Sequence, residues 1–301
     1  MSTRSVSKPD RRRRQGLWGV GALLLLLGVV EAGVRLLGLM DFPVYEANAE
    51  IGYIPAANQQ GRYLNRNDWQ VNELHMSAPP FRPTHQGNVL LIGDSIVWGG
   101  NPYAAHERLG AQLQALTPSR VWPVAAGSWG LQNELTYLAQ HPGVVRQMDH
   151  IVFVLNSGDF DKPSSWTCET THPREHPRVA TLYLVQKYLL KTACPTEPPA
   201  GLAVPARAPL QLLAEFARAH PGKPLKFVLY PDKAECEAPA LRQTRLERFK
   251  PQLLAAGATE VHSLGEFAGW RDCDALYKDD IHPHPAGFGQ LAAFLRERVA
   301  G

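Results

Sequence analysis

The sequence predicts an α/β fold in which helices cover both faces of a parallel sheet of about five strands, preceded by one N-terminal transmembrane helix. From residue 89 onward, short β-branched or apolar runs alternate with runs of helical periodicity, a pattern typical of βαβ units. The strand candidates are also continuously apolar, as expected of strands that are buried on both faces. An apolar run close to the N-terminus predicts the membrane helix.

The first 15 residues form a basic tail that differs in charge from the rest of the chain. The tail holds one acid, Asp10, and six basic residues: Arg4, Lys8, Arg11, Arg12, Arg13 and Arg14. Of the 31 basic and 28 acidic residues in the chain, 25 and 27 therefore lie beyond it, so the body of the protein is close to neutral. A nucleic-acid partner would need a basic face on the folded part, and the composition argues against one.

Residues 16–40 have the pattern of a transmembrane signal anchor. Gly16–Val30 carry no charge, and a helix of about 20 residues is what a bilayer core requires. Glu31 and Arg35 are four apart, so on a helix they either pair with each other or lie at the far interface. No small-residue cleavage site follows the apolar run, which favours an uncleaved anchor over a secretory peptide. Positive charge before the span then places residues 41–301 outside the cytoplasm.

Beyond the anchor, the chain divides into a juxtamembrane lead-in, 41–87, and one domain, 88–301. The lead-in is polar with scattered aromatic residues, which predicts one or two short strands. In the domain, strands are predicted at 89–93, 120–126, 150–156, 225–230 and 259–264. Helices are predicted at 104–116, 131–141, 178–191, 207–219, 238–256 and 286–299.

Four cysteines, Cys168, Cys194, Cys236 and Cys273, all lie in the outer portion of the chain. No CxxC spacing or nearby histidine pair indicates a zinc site. In an oxidising compartment two disulfides are expected, and pairing 168 with 194 and 236 with 273 is the simplest of three connectivities. Four free thiols are the alternative.

The first strand of the domain ends in Gly93, Asp94 and Ser95. Parallel sheets bind ligands at the carboxyl ends of their strands, so Ser95 is expected at the functional edge of the sheet. A serine hydroxyl becomes a nucleophile only when a base removes its proton and a third group holds the base. Asp94 is expected to brace the turn by accepting backbone N–H groups.

The segment before the last predicted helix supplies the two partners that such a serine needs. Asp279 and His282 are three residues apart, a spacing that places the carboxylate behind the imidazole on one tight turn. Asp280 is the competing carboxylate, and His284 is expected to be a helix-start residue. The arrangement differs from the GxSxG elbow of α/β-hydrolases, because Val97 stands two residues after Ser95.

These motifs resemble those of the SGNH (GDSL-like) hydrolase superfamily, in particular its membrane-anchored bacterial members. The resemblance covers roughly residues 89–300 and implies a flavodoxin-like three-layer α/β/α sandwich. "GDS" at 93–95 matches the first block, so Ser95 would be the nucleophile and its backbone N–H an oxyanion donor. "AAGSWGLQNEL" at 125–135 resembles the second block and gives Gly130 as a further donor. "DDIH" at 279–282 matches the last block, with Asp279 as orienting group and His282 as base.

The third block departs from the family pattern. The pattern GxND supplies an asparagine side chain to the oxyanion hole, and it aligns here with residues 156–159, where Gly158 occupies the asparagine position. One oxyanion donor is typically worth about 3 to 4 kcal/mol of transition-state stabilisation. Asn156, two residues earlier, is the candidate to replace it.

The sequence therefore predicts an extracytoplasmic serine esterase, anchored in a bacterial inner membrane and needing neither metal nor organic cofactor. The resemblance implies a short acyl ester as substrate, with O-acetyl groups on a cell-envelope or exported polysaccharide as the expected case. An O-acyltransferase on such a glycan, a long-chain lipase and a non-catalytic envelope-binding domain are the alternatives. Trp98, Trp129 and Trp166 either line an acyl or sugar pocket or pack in the core.

Overall fold

The computed structural model describes residues 11–298, with side chains from residue 17 onward. Most of the predicted basic tail, and residue 299 of the last predicted helix, lie outside the described residues. In the described part the strands are β1 (Tyr45–Asn48), β2 (Gly52–Pro55), β3 (Gln59–Tyr63), β4 (Asn67–Val71), β5 (Asn88–Gly93), β6 (Arg120–Ala125), β7 (His150–Leu155), β8 (Leu225–Leu229) and β9 (Glu260–Ser263).

The helices lie between and beyond these strands. They are α1 (Arg11–Leu36), α2 (Ser95–Trp98), α3 (Leu109–Leu116), α4 (Leu131–Gln140), α5 (Pro142–Gln147), α6 (Ala180–Leu184), α7 (Pro209–Ala219), α8 (Lys233–Glu237), α9 (Pro239–Arg242), α10 (Phe249–Ala255), α11 (Cys273–Leu276) and α12 (Pro285–Arg298).

The five strands β5 to β9 form one parallel sheet in the order β6–β5–β7–β8–β9, which confirms the predicted fold class and all five predicted strands. Alternate side chains of β5 enter different cores. Leu90 and Ile92 belong to the core that α4, α5, α7 and α10 cover, and Leu91 to the core under α2, α3, α11 and α12. Since both faces are covered, the strands have to be apolar along their whole length.

Three of the predicted helices are interrupted. The predicted helix 104–116 consists of a tight helical turn at Ala105–Glu107 and α3, separated by Arg108 in an extended conformation. The predicted helix 238–256 consists of α9, a wider helical turn at Gln243–Glu247, and α10. Pro251 lacks the N–H that a regular helix would donate to the carbonyl of Glu247, so the regular hydrogen-bond ladder cannot continue there. The predicted helix 178–191 likewise consists of α6 followed by a wide turn at Val185–Leu189.

The lead-in is more regular than the sequence predicted, because it contains two antiparallel hairpins, β1–β2 and β3–β4, rather than one or two strands. Leu64 and Asn65 both adopt positive φ angles, 54° and 55°, and make the turn between β3 and β4. Met76 then pairs with Val124 of the edge strand β6. The lead-in therefore covers one edge of the sheet and does not act as a free linker.

Both expected disulfides form, Cys168–Cys194 and Cys236–Cys273, so the alternative of free thiols is wrong. The second disulfide joins α8 to α11. Asp279 follows α11 by only three residues, so this disulfide lies beside the segment that carries the predicted aspartate and histidine.

The apolar part of α1, Leu17–Leu36, has a mean hydropathy of 2.1 and is not buried by the rest of the chain. Its length and composition suit a membrane span. The C-terminal end of α1 is docked onto the domain. Glu31 accepts hydrogen bonds from the N–H groups of Ala180 and Thr181, and Arg35 donates to the carbonyl of Arg178 and pairs with Glu31.

Candidate active site

Ser95 is the first residue of α2 and directly follows the strand β5 and Asp94. Asp94 caps α2, because its carboxylate accepts the N–H of Ile96 at 2.8 Å, which agrees with the predicted bracing role. At position 93 a Cβ would lie 2.6 Å from Cγ2 of Val97 and 3.0 Å from the carbonyl oxygen of Val154, so a larger residue would require α2 to shift away from the strand. Ser95 is thereby presented, partly exposed, at the carboxyl edge of the sheet.

The structure brings together the three residues that the sequence assigned to a catalytic triad. The Oγ atom of Ser95 lies 2.9 Å from Nε2 of His282, and Nδ1 of His282 lies 3.0 Å from each carboxylate oxygen of Asp279. Asp279, and not Asp280, contacts the imidazole; the backbone carbonyl of Asp280 instead accepts the N–H of Lys233. The chain of hydrogen bonds from carboxylate to imidazole to hydroxyl is the one that nucleophilic catalysis by serine requires.

The loop that carries Asp279 and His282 is held from several directions. Tyr103 donates its hydroxyl to the carbonyl of Pro283, and Tyr230 donates to the carbonyl of Ile281, both at 2.8 Å. Burial alone would raise the pKa of Asp279, but the N–H groups of His282 and Ile281 together with the imidazole keep that pKa below its ordinary value. Asp279 is therefore a stable anion that can orient the imidazole and stabilise its protonated form.

Gly130, the expected second oxyanion donor, is the N-cap residue immediately before α4. Its N–H donates to Oδ1 of Asn133 at 3.1 Å. Asn133 is completely buried and is itself fixed by the carbonyls of Ile51 and Ser164, each 2.9 Å from its amide nitrogen. The N–H of Gly130 can therefore donate to an oxyanion only if its hydrogen bond to Asn133 is shared with the oxyanion or broken.

Asn156 does not supply the missing side-chain donor in this arrangement. Its amide nitrogen donates to Asp94 and to Asp159, both at 3.1 Å, which uses both hydrogens. Its amide oxygen accepts the N–H of Gly158 at 2.7 Å. The expectation that Asn156 replaces the family asparagine is thus not supported, because a substrate would have to displace a carboxylate to gain its hydrogen.

A cluster of three buried carboxyl groups, Asp94, Glu134 and Asp159, lies behind the serine. Burial raises the pKa of Asp94 to about 6. Burial, followed by the negative charge of Asp94, raises the pKa values of Glu134 and Asp159 well above their ordinary range. Both carboxyl oxygens of Glu134 lack a hydrogen-bond partner. Within residues 11–298 no group of three or more His, Cys, Asp or Glu side chains is arranged to hold a metal ion.

Glu134 and Asp159 were not singled out from the sequence. The available signal was the polar run Gln132, Asn133 and Glu134 at the start of a helix predicted to pack on the sheet. All three are buried, and burying three successive polar side chains is costly unless they have a structural or functional role. The sequence left open whether three tryptophans line a pocket or pack in the core. Trp98, Trp129 and Trp166 are at most 6% exposed and pack in the core.

Glu134→Gln is expected to make the stability of the protein less dependent on pH. A carboxyl whose pKa in the folded state lies above its unfolded value binds its proton more tightly when folded, so stability falls as the pH rises from the ordinary value of 4.5 through the raised pKa. Glutamine has no such proton. For one proton the difference in slope approaches about 1.4 kcal/mol per pH unit. Thermal unfolding of the full chain in detergent over a pH series measures the effect.

The matched control for this prediction is Glu297→Gln, which changes an exposed glutamate on α12. Its midpoints should follow those of the wild type at every pH. If the Glu134→Gln midpoints also run parallel to the wild type, Glu134 does not hold its proton more tightly in the folded state.

No family model and no curated protein matches the chain. Among solved structures, the chain is similar to a member of the lipolytic protein G-D-S-L family from Veillonella parvula, with 13% identity, a TM-score of 0.41, and coverage of 70% of this chain and 97% of that one. The chain is also similar to a putative lipolytic protein of the G-D-S-L family from Desulfitobacterium hafniense, with 13% identity and a TM-score of 0.41. That match covers 70% of this chain and 99% of the other. A third similar structure is a family two carbohydrate esterase from Clostridium thermocellum in complex with cellohexaose, with 13% identity and a TM-score of 0.39. That match covers 74% of this chain and 67% of the other. The activity of this chain has to be inferred from its own residues.

Proposed function

We propose that this chain is a serine esterase of the SGNH (GDSL-like) type, attached to a membrane by α1 with residues 41–301 outside the cytoplasm. The observation that carries the proposal is the hydrogen-bonded series Ser95, His282 and Asp279 at the carboxyl edge of a parallel sheet. A serine hydroxyl within 2.9 Å of an imidazole that a carboxylate orients is the arrangement that activates a nucleophile.

In the proposed reaction, Nε2 of His282 takes the proton of Ser95 as its Oγ attacks the carbonyl carbon of an ester. Asp279 holds the Nδ1–H side of the ring and stabilises the imidazolium that forms. His282 then gives the proton to the leaving alcohol, which leaves an acyl group on Ser95. Water, deprotonated by His282, attacks that acyl group and releases the acid, and Ser95 regains its proton.

The oxyanion of this reaction would be held by backbone groups. The N–H of Ser95 is the first donor, and the N–H of Gly130 is the second when it turns away from Asn133. Position 158 offers no side-chain donor, since it holds glycine. We therefore expect a slow esterase, because each missing donor typically lowers kcat by about 10²- to 10³-fold.

The membrane attachment is proposed to be a retained anchor and not a cleaved leader. The contacts of Glu31 with Ala180 and Thr181, and of Arg35 with Arg178, support this choice because they tie the outer end of α1 to the domain. A leader that is removed would leave these backbone groups without their partners.

For the substrate we propose short acyl esters, with O-acetyl groups on an extracytoplasmic polysaccharide as the natural case. The test uses the full chain in detergent with p-nitrophenyl acetate, butyrate and octanoate, and with an O-acetylated polysaccharide from which released acetate is measured. The acetate ester should be hydrolysed fastest, and the polysaccharide should lose acetate.

Each alternative predicts a different result in the same experiment. Octanoate hydrolysed fastest would indicate a long-chain lipase. Acetyl transfer to an added sugar in preference to water would indicate an O-acyltransferase, because a sugar hydroxyl then replaces water in the second half of the reaction. Polysaccharide binding without any hydrolysis would indicate a non-catalytic domain.

A further inference from the structure

An unusual apolar surface lies on α6 and the turn that follows it. We call it the α6 face, and it consists of Val179, Leu182, Tyr188, Leu189 and Leu190, which are 53%, 53%, 59%, 75% and 66% exposed. The opposite side of the same segment is buried, where Ala180 and Tyr183 pack with Met40 and Phe42. A helical segment that is apolar on both sides is expected to have apolar surroundings on both sides.

The exposure of this face sets it apart from the rest of the domain. Outside α1 and the adjoining Leu37, the exposed large apolar side chains of the described residues are those of the α6 face and two isolated leucines, Leu116 and Leu254. Single exposed leucines are normal on a soluble surface, but a contiguous apolar patch marks an interaction site.

The α6 face adjoins α1. Glu31 of α1 accepts the N–H groups of Ala180 and Thr181 at 2.9 and 2.8 Å, so it provides the cap at the start of α6. Val34, Leu184 and Leu189 line an apolar groove of about 300 Å³ between the two elements. The apolar surface of the proposed anchor therefore meets the α6 face along this groove, which Thr181 also lines.

The length of the anchor indicates the depth at which α6 lies. The charge-free residues Gly16–Val30 span about 22 Å as a helix, whereas the hydrocarbon core of a bilayer is about 30 Å thick. From Gly16 to Arg35 the helix rises about 28 Å, so Arg35 lies close to the outer boundary of a hydrocarbon core of about 30 Å and Glu31 about one turn below it. The segment α6 is docked at this level. Exposed Arg178 and Lys191 stand at the two ends of the α6 face, where they can reach lipid phosphates.

We propose that the α6 face lies in the outer interface of the bilayer beside α1, with its apolar side chains among the upper acyl chains of the lipids. This inference rests on the proposed anchoring by α1. Two attachments instead of one prevent the domain from tumbling above the membrane and hold it in one orientation.

The test uses the full chain in lipid nanodiscs of phosphatidylcholine and phosphatidylglycerol, with and without bromine on the upper acyl chains. Bromine quenches tryptophan fluorescence only at close range, so Leu189→Trp reports on the α6 face. Leu254→Trp is the matched control, because Leu254 is an exposed leucine on α10, outside the α6 face, although it is less exposed than Leu189 (46% against 75%). The parent fluorescence is subtracted in both cases. We expect more than half of the fluorescence added at 189 to be quenched, and the fluorescence added at 254 to be unaffected.

Insertion of α1 is measured separately through Trp18, which lies within α1. If Trp18→Phe removes bromolipid quenching from the parent, the anchor is inserted. Quenching at Trp18 without quenching at 189 would overturn the proposed contact and leave the anchor intact. Cross-linking between two copies through residue 189 would identify a second copy as the occupant and also overturn it. Absence of quenching at both positions would reject the anchor, and the contact with it.

Discussion

Replacing Ser95 with alanine is expected to lower kcat for an acetyl ester by about 10⁴- to 10⁶-fold, the usual cost of removing a triad nucleophile. The Oγ atom that lies 2.9 Å from His282 is then absent, and no acyl-enzyme can form. The side chain is partly exposed and small, so the fold should not change. Intact mass after treatment with a fluorophosphonate gives the direct readout. The wild type should gain one adduct and the variant none.

Ser119→Ala is the matched control, because Ser119 immediately precedes β6, at the opposite edge of the sheet. It should label and hydrolyse as the wild type does. If a well-folded wild type gains no adduct, Ser95 is not activated, and the chain is better described as a binding domain that retains the geometry of a triad. If the adduct persists in Ser95→Ala, another residue is the nucleophile and the proposed mechanism is wrong.

Gly158→Asn is expected to raise kcat by about 10²- to 10³-fold, the typical contribution of one side-chain donor to an oxyanion hole. The backbone accepts such a change, since Gly158 is not among the residues with positive φ. A Cβ at this position would meet only Oδ1 of Asn156, at 3.1 Å, which requires a shift of a few tenths of an ångström. Steady-state kinetics with acetyl and butyryl esters measures the gain.

Gly158→Asp separates the donor from the added bulk, because aspartate has nearly the same shape as asparagine but no N–H to offer. It should give no gain and, with its charge near a developing oxyanion, a loss. An unchanged kcat in Gly158→Asn, with fluorophosphonate labelling intact, would show that the site already has its full set of donors. The N–H of Gly130, which donates to Asn133 in this structure, would then have to serve as the second donor during the reaction.

The sheet was predictable because its signal is local. Each strand of a sheet covered on both faces must be a run of apolar residues, and the runs 89–93 and 150–156 have the length of strands and are too short for typical helices. The contact between Ser95 and His282 was also predictable, although they are 187 residues apart in the sequence. Both precede or begin a helix at the carboxyl edge of a parallel sheet, and the spacing of Asp279 and His282 fits one turn.

The hydrogen-bond partners of individual side chains could not be predicted from the sequence in the same way. Whether Asn156 faces the substrate depends on the positions of Asp94 and Asp159, which compete for its amide at 3.1 Å each. The hairpins of the lead-in were missed for a related reason. They depend on turn residues with positive φ, among them Leu64, which has no intrinsic preference for that conformation.

The disulfide between Cys236 and Cys273 couples the assembly of the active site to the compartment in which the chain folds. It ties α8 to α11, and the segment after α11 carries Asp279 and His282. Cytoplasmic thiols remain reduced, whereas exported proteins are oxidised. On the proposed topology, a newly made chain therefore gains the covalent support of its catalytic loop only after translocation. If the proposed esterase depends on that support, the order of biosynthetic events would keep its active site incomplete until the chain has crossed the membrane.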